Sequence, residues 1–101
     1  MKVRFAESGG FAGLVKACDL DAGGLPEEEA RELARLAAAS GISTSGEFFS
    51  TSGRDLRQYE ITIEAGGRTV AALFDDETLP PAARPLVGFL RRYARPAPPG
   101  R

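Results

Sequence analysis

The alternation between residues 58 and 64 constrains the fold more than any other feature of this chain. Tyr59, Ile61 and Ile63 fall on one side of an extended backbone, and Gln58, Glu60, Thr62 and Glu64 on the other, because successive side chains of a strand point to opposite faces. Gly66-Gly67 follows as a hairpin signal, and Val70, Ala72 and Phe74 supply the apolar side of a returning strand. A hairpin that is apolar on one side only belongs to a sheet with helices packed on one side.

The remaining segments build around that hairpin. Val3 and Phe5 alternate with Lys2 and Arg4, the pattern of another half-buried strand. Ser8-Gly9-Gly10 then turns the chain into an apolar run over residues 11–20, read as a second strand with a bulge near Gly13, where Leu14-Val15 blurs the alternation. Pro26 and Glu27, Glu28 and Glu29 suit the positive end of a helix. Ala30, Leu33, Ala34 and Ala37, widened by Leu36, recur at helical spacing up to Ser40-Gly41, where glycine can cap the C-terminus. Pro80-Pro81 takes the chain out of the sheet. A second helix is expected over residues 82–93, with Pro85 in its first turn and Leu86, Phe89, Leu90 and Tyr93 as its stripe. The predicted class is α+β, a four-stranded, mainly antiparallel sheet with two helices in the order ββαββα. One compact domain should occupy residues 1–95, and residues 96–101 read as a flexible Pro-rich tail.

With 101 residues, 43% of them hydrophobic, the chain suits one sheet with covering helices and leaves no room for a deep substrate cavity. The net charge is −1, but all 14 acidic residues lie at or before Glu77, while Arg84, Arg91, Arg92, Arg95 and Arg101 follow it. Nucleic-acid binding would need those arginines to converge on one face, against a body that is net acidic, so no nucleic acid is expected as partner. Neither a signal peptide nor a membrane-spanning run is legible, and the expected location is cytoplasmic.

Chemistry is poorly provided for. The chain has no histidine, which removes the usual base of a nucleophilic triad, the usual nitrogen ligand of zinc and the common proton shuttle near neutral pH. Cys18 is the only cysteine and reads as a buried, inert thiol. Asp75-Asp76-Glu77 gathers carboxylates at a strand end, and Asp19 and Asp21 sit on another. Neither has the spacing of a calcium loop or a glycosidase pair, and both read as solvated acids. Gly9-Gly10 and Gly66-Gly67 match no phosphate-binding fingerprint. The chain is therefore expected to be no enzyme and to need no cofactor, its function lying in a surface that binds another macromolecule.

Two places offer such a surface. Residues 40–54 are rich in Ser, Thr and Gly yet carry Phe48-Phe49, either a plug for the open side of the sheet or an aromatic anchor surrounded by small polar residues. Phe11 stands among Gly9, Gly10 and Gly13 and poses the same choice between core packing and exposed contact. The contact candidates are Phe48, Phe49, Glu47, Gly10 and Phe11.

The stretch Met1-Lys2-Val3-Arg4-Phe5-Ala6-Glu7-Ser8-Gly9-Gly10-Phe11-Ala12-Gly13-Leu14, with Asp19-Leu20-Asp21 and Leu25-Pro26-Glu27-Glu28-Glu29-Ala30 leading into Leu33, resembles the emfourin family. That resemblance implies a protein inhibitor of protealysin-like metalloproteases of the thermolysin type, with the zinc belonging to the partner; the free chain is expected to be a monomer. Blocking of the cleft is then steric, an exposed Phe48, Phe49 or Phe11 meeting the pocket that such proteases keep for a bulky apolar side chain after the scissile bond, with Glu47 near the metal. The alternative is a non-catalytic interaction module of unknown partner that self-associates through a sheet edge or the last helix.

Overall fold

The computed structural model describes residues 1–9, 15–50 and 56–97. In chain order its elements are β1 (Lys2–Ser8), β2 (Val15–Asp21), α1 (Glu27–Ala39), β3 (Gly46–Phe48), β4 (Gln58–Ala65), β5 (Arg68–Asp75), α2 (Arg84–Arg91) and β6 (Arg95–Ala97). Among the described residues the strands form one six-stranded mixed sheet in the order β3-β5-β4-β1-β2-β6.

This overturns the expectation of a four-stranded, mainly antiparallel sheet. The two hairpins form the antiparallel centre, β5-β4-β1-β2, but a strand is added at each edge. β3 lies parallel to β5 and β6 antiparallel to β2. Each added strand has three residues, too few for a period of two to show in the sequence. They are extended because a neighbouring strand presents unpaired N–H and C=O groups for them to join. β6 also contains Pro96, opposite Lys16, and an edge strand is where a missing N–H is tolerated. Pairing of β1 with β2 runs without interruption from Lys2–Asp21 to Ser8–Val15. The expected bulge near Gly13 lies outside the described residues.

Register decides which side chains become core. Val3 stands beside Leu20 and Ile63, Phe5 beside Cys18 and Ile61, Ile61 beside Ala72, and Tyr59 beside Phe74. Paired residues share a face, so this set lies on one side of the sheet. It packs with Leu33 and Leu36 of α1 and with Leu86, Val87, Phe89 and Leu90 of α2. Both helices cover that single face. Lys2, Arg4, Glu60 and Glu64 stand on the other, and all four are exposed.

Local chemistry sets the helix limits. Glu27, Glu28 and Glu29 occupy the first turn of α1, where carboxylates meet the positive end of the dipole. Beyond its last turn the buried Ser40 hydroxyl donates to the Ala37 carbonyl at 2.7 Å and accepts from the Ile42 N–H at 3.1 Å. A 3-10 turn over Pro81–Ala83 precedes α2, which is shorter than the expected 82–93 span. Tyr93 still packs on Phe89 with ring centroids 5.4 Å apart. Cys18 is half-buried, its Sγ donating to the Leu90 carbonyl. Burial, then the neighbouring charge of Asp19, pushes its thiol up to about 11. Among the described residues no helix is long and apolar enough to cross a membrane.

Candidate functional site

One end of the sheet gathers the residues of interest. Ser8, at the end of β1, stands opposite Gln58 at the start of β4, and Gln58 stands opposite Asp75 at the end of β5. Phe48, the last residue of β3, pairs with Phe74 one position earlier on β5. The chain therefore leaves β3 on one side of the β5 terminus and enters β4 on the other. Gly9 closes in on the same place. Its φ of +106° is one that side chains rarely adopt, and a Cβ there would come within 3.1 Å of the Leu56 carbonyl oxygen and of Arg57 Cα.

Phe48 and Phe49 are 37% and 41% exposed, and with Met1 they are the exposed large hydrophobic residues of the described chain. Phe48 lies flat on Phe74, with centroids 5.4 Å apart and planes inclined by 18°. A Cβ on Gly46 would meet the Phe48 ring at 3.2 Å, so glycine at that position lets the ring lie against the backbone. Phe48 is thus fixed on its inner side and open on its outer side, while Phe49 stands next to it in the more exposed position.

Asp75 braces this pair. It is only 2% exposed, which overturns the reading of Asp75-Asp76-Glu77 as simply solvated. Its Oδ2 accepts from the Ser50 N–H at 2.7 Å and the Ser50 hydroxyl at 2.9 Å. Its Oδ1 accepts from the N–H groups of Glu77 at 2.8 Å and Thr78 at 3.0 Å. The Asp75 N–H in turn donates to Thr78 Oγ1 at 2.9 Å. Burial alone would raise the Asp75 carboxyl, but the donors from Ser50, Glu77 and Thr78 outweigh it and hold the pKa at about 2.

A pH dependence follows. The folded pKa lies below the ordinary aspartate value of about 3.9, so the contribution of this carboxylate is complete above that value and disappears as pH falls through about 2. In urea unfolding the stability gap between wild type and Asp75→Asn is expected to hold down to about pH 4 and to narrow steadily towards about pH 2. A gap of constant size across that range would show that the charge of Asp75 contributes nothing.

Asp76 and Glu7 extend the brace. Asp76 Oδ2 accepts from the Arg57 N–H at 3.1 Å and Oδ1 from the Tyr59 hydroxyl at 2.5 Å, while Arg84 donates to the Asp76 carbonyl at 3.1 Å. Burial, then the hydrogen bond to Asp76, raises the Tyr59 phenol. Glu7 takes a two-pronged contact from Arg91 at 2.9 and 3.1 Å and a single one from Arg57 at 3.3 Å. These contacts tie β1, β4 and α2 together at the end of the sheet that carries the phenylalanines. Arg84 and Arg91 are thereby engaged within the fold, and Arg92 lies 4.7 Å over the Phe89 ring.

Of the candidates named from sequence, Phe48 and Phe49 are consecutive and both exposed. Glu47 is exposed but pairs with Leu73, so it points to the sheet face opposite Phe48. Gly10 and Phe11 lie outside the described residues, though Gly9 before them abuts Leu56 and Arg57. Reading the sequence singles out Asp75 and Asp76 but takes them as solvated acids, and it gives Ser50 and Arg57 no role. The one available signal was Asp75 three residues before Thr78, a spacing at which the two residues bond each other's backbone N–H groups. Asp19 and Asp21 have local roles, Asp19 lying 3.5 Å from Arg4 and Asp21 accepting from the Gly23 N–H at 3.0 Å.

Fold and site together define a small two-layer α+β domain that displays an adjacent pair of aromatic side chains on a braced sheet end. Residues 5–91 match the emfourin family, and the chain belongs to it. Emfourins are a family of protein inhibitors of proteases, which gives the chain an inhibitor role with a protease as its partner. No curated protein and no solved structure matches the chain.

Proposed function

We propose that the chain inhibits a thermolysin-type zinc metalloprotease of the protealysin kind by laying the Phe48–Phe49 end of its sheet across the active-site cleft. The observation that carries this reading is the exposure of two adjacent phenylalanines beside a backbone held by Asp75. Aromatic anchors at the centre of a contact, each burying about 150–250 Å², dominate the affinity of many interfaces. A protease that accepts a bulky apolar side chain after the scissile bond offers such an anchor a ready-made pocket. Phe49 is the residue assigned to it, Phe48 the shoulder beside it, and Glu47 the rim.

The inhibitor blocks by occupancy. Zinc stays with the protease, whose cleft is filled by a surface whose backbone is already fixed on both sides of β5, so little freedom is lost on binding. The test is to titrate a purified protealysin-like protease with this protein and follow peptide hydrolysis. Activity should fall in proportion to added protein and vanish near equimolar amounts. Full activity of several thermolysin-type enzymes at large excess of the protein would overturn the reading and favour an interaction module with another partner.

A further inference from the structure

The geometry points to Asp75 and Asp76 as positioning residues that hold the two shoulders of the β3–β4 connection and so set the pose in which Phe48 and Phe49 are displayed. This inference rests on the function proposed above. Topology makes such a device necessary. β5 lies between β3 and β4, so Ser50 after β3 and Arg57 before β4 flank the C-terminal end of β5 from opposite sides, each outside the strand ladder. Two consecutive carboxylates at that end meet them. Asp75 takes the N–H and hydroxyl of Ser50, two residues after Phe48, and Asp76 takes the N–H of Arg57, one residue before β4 begins.

Each carboxylate also spends its second oxygen on a fixed part of the molecule. For Asp75 this is the turn after β5, through Glu77 and Thr78; for Asp76 it is the Tyr59 hydroxyl, whose ring is in the core. The shoulders are thus tied to rigid elements. Both oxygens of Asp75 face backbone N–H groups and must be acceptors, which an amide cannot reproduce: in Asp75→Asn one of the two sites would present N–H to another donor, releasing either the shoulder or the anchor. At Asp76 the Tyr59 hydroxyl can accept as well as donate, so Asp76→Ala is the substitution that removes the Arg57 bond.

The experiment has two arms. In the free protein, amide hydrogen exchange is measured well below the melting temperature. Asp75→Asn should speed exchange at Ser50, and Asp76→Ala at Arg57, each by about tenfold or more, while amides in the middle of β1 and β4 keep their rates. Against a protealysin-like protease, each substitution should weaken inhibition by about tenfold. In a Phe49→Ala background the same substitution should add little further loss, because its effect passes through the phenylalanine pair. Ser50→Ala removes only the hydroxyl contact, leaves the N–H bond in place and should give a smaller loss in the same direction, which keeps the test open if Asp75→Asn fails to fold.

Wild-type inhibition that is unchanged by these variants, or weakened equally with and without Phe49, would overturn the positioning role while leaving the inhibitor reading intact. Unaltered exchange at Ser50 and Arg57 would overturn the clamp itself. Absence of inhibition by wild type, with local exchange changes as expected, would instead overturn the inhibitor reading and the link to display, with the clamp standing as a feature of the free fold.

Discussion

Phe49→Ala is expected to raise the inhibition constant against a thermolysin-type protease by about 30- to 1000-fold, the equivalent of roughly 2–4 kcal/mol for a central aromatic anchor. The same substitution should leave the melting temperature within about 4 °C of wild type, since truncation of an exposed side chain usually changes stability by no more than about 0.5 kcal/mol. Phe48→Ala provides the contrast. Phe48 is 37% exposed but stacked on Phe74, a pairing worth about 0.5–1.5 kcal/mol beyond burial of area, so its loss should lower both inhibition and stability. Inhibition assays and thermal unfolding on the two variants therefore separate an anchor from a shoulder. Equal inhibition by wild type and Phe49→Ala would remove Phe49 from the contact and move attention to Gly10 and Phe11.

The largest effect on folding is expected from Phe5→Ala. Phe5 is fully buried at the middle of β1, between Cys18 on one neighbouring strand and Ile61 on the other. Helices close that face above it, and the surrounding strands are held in register, so the space it leaves cannot collapse freely. Such truncations cost about 3–5 kcal/mol, a large share of the roughly 5–15 kcal/mol that holds a domain of this kind. The melting temperature should fall by about 15 °C or more. Arg4→Ala, one position earlier, is the control. Arg4 lies on the open face in an exposed ion pair with Asp19, whose loss should cost at most about 1 kcal/mol. Similar losses from the two variants would contradict the one-sided burial of the sheet.

The outcome at the candidate site shows how far a sequence reading reaches. Phe48 and Phe49 were conspicuous because two large apolar residues in a Ser- and Gly-rich stretch need either a core or a partner. Their orientation depended on strand β3, which exists only because β5 offers it an edge. The carboxylates beside them were read as solvated because three adjacent acids usually are, and local sequence carries no trace of Ser50, 25 residues earlier, folding back onto Asp75. Arg91 and Glu7 are separated by 84 positions, and their pairing is equally silent in one dimension.

Local patterning by itself determined the two hairpins, the one-sided alternation of β1 and β4, the two helices and the α+β class, because strand and helix periods are written in residues a few positions apart. It also carried the resemblance to emfourins in the first third of the chain, which the match over residues 5–91 places in that family. Only the tertiary structure decided the six-stranded mixed sheet, the edge strands β3 and β6, the burial of Asp75 and the meeting of Glu7, Arg57, Tyr59, Asp76 and Arg91 at one end. Those features have a common physical origin. Three-residue strands and paired carboxylates are too weak to form alone, and each is stable only where a distant part of the chain supplies the hydrogen-bond partners it lacks.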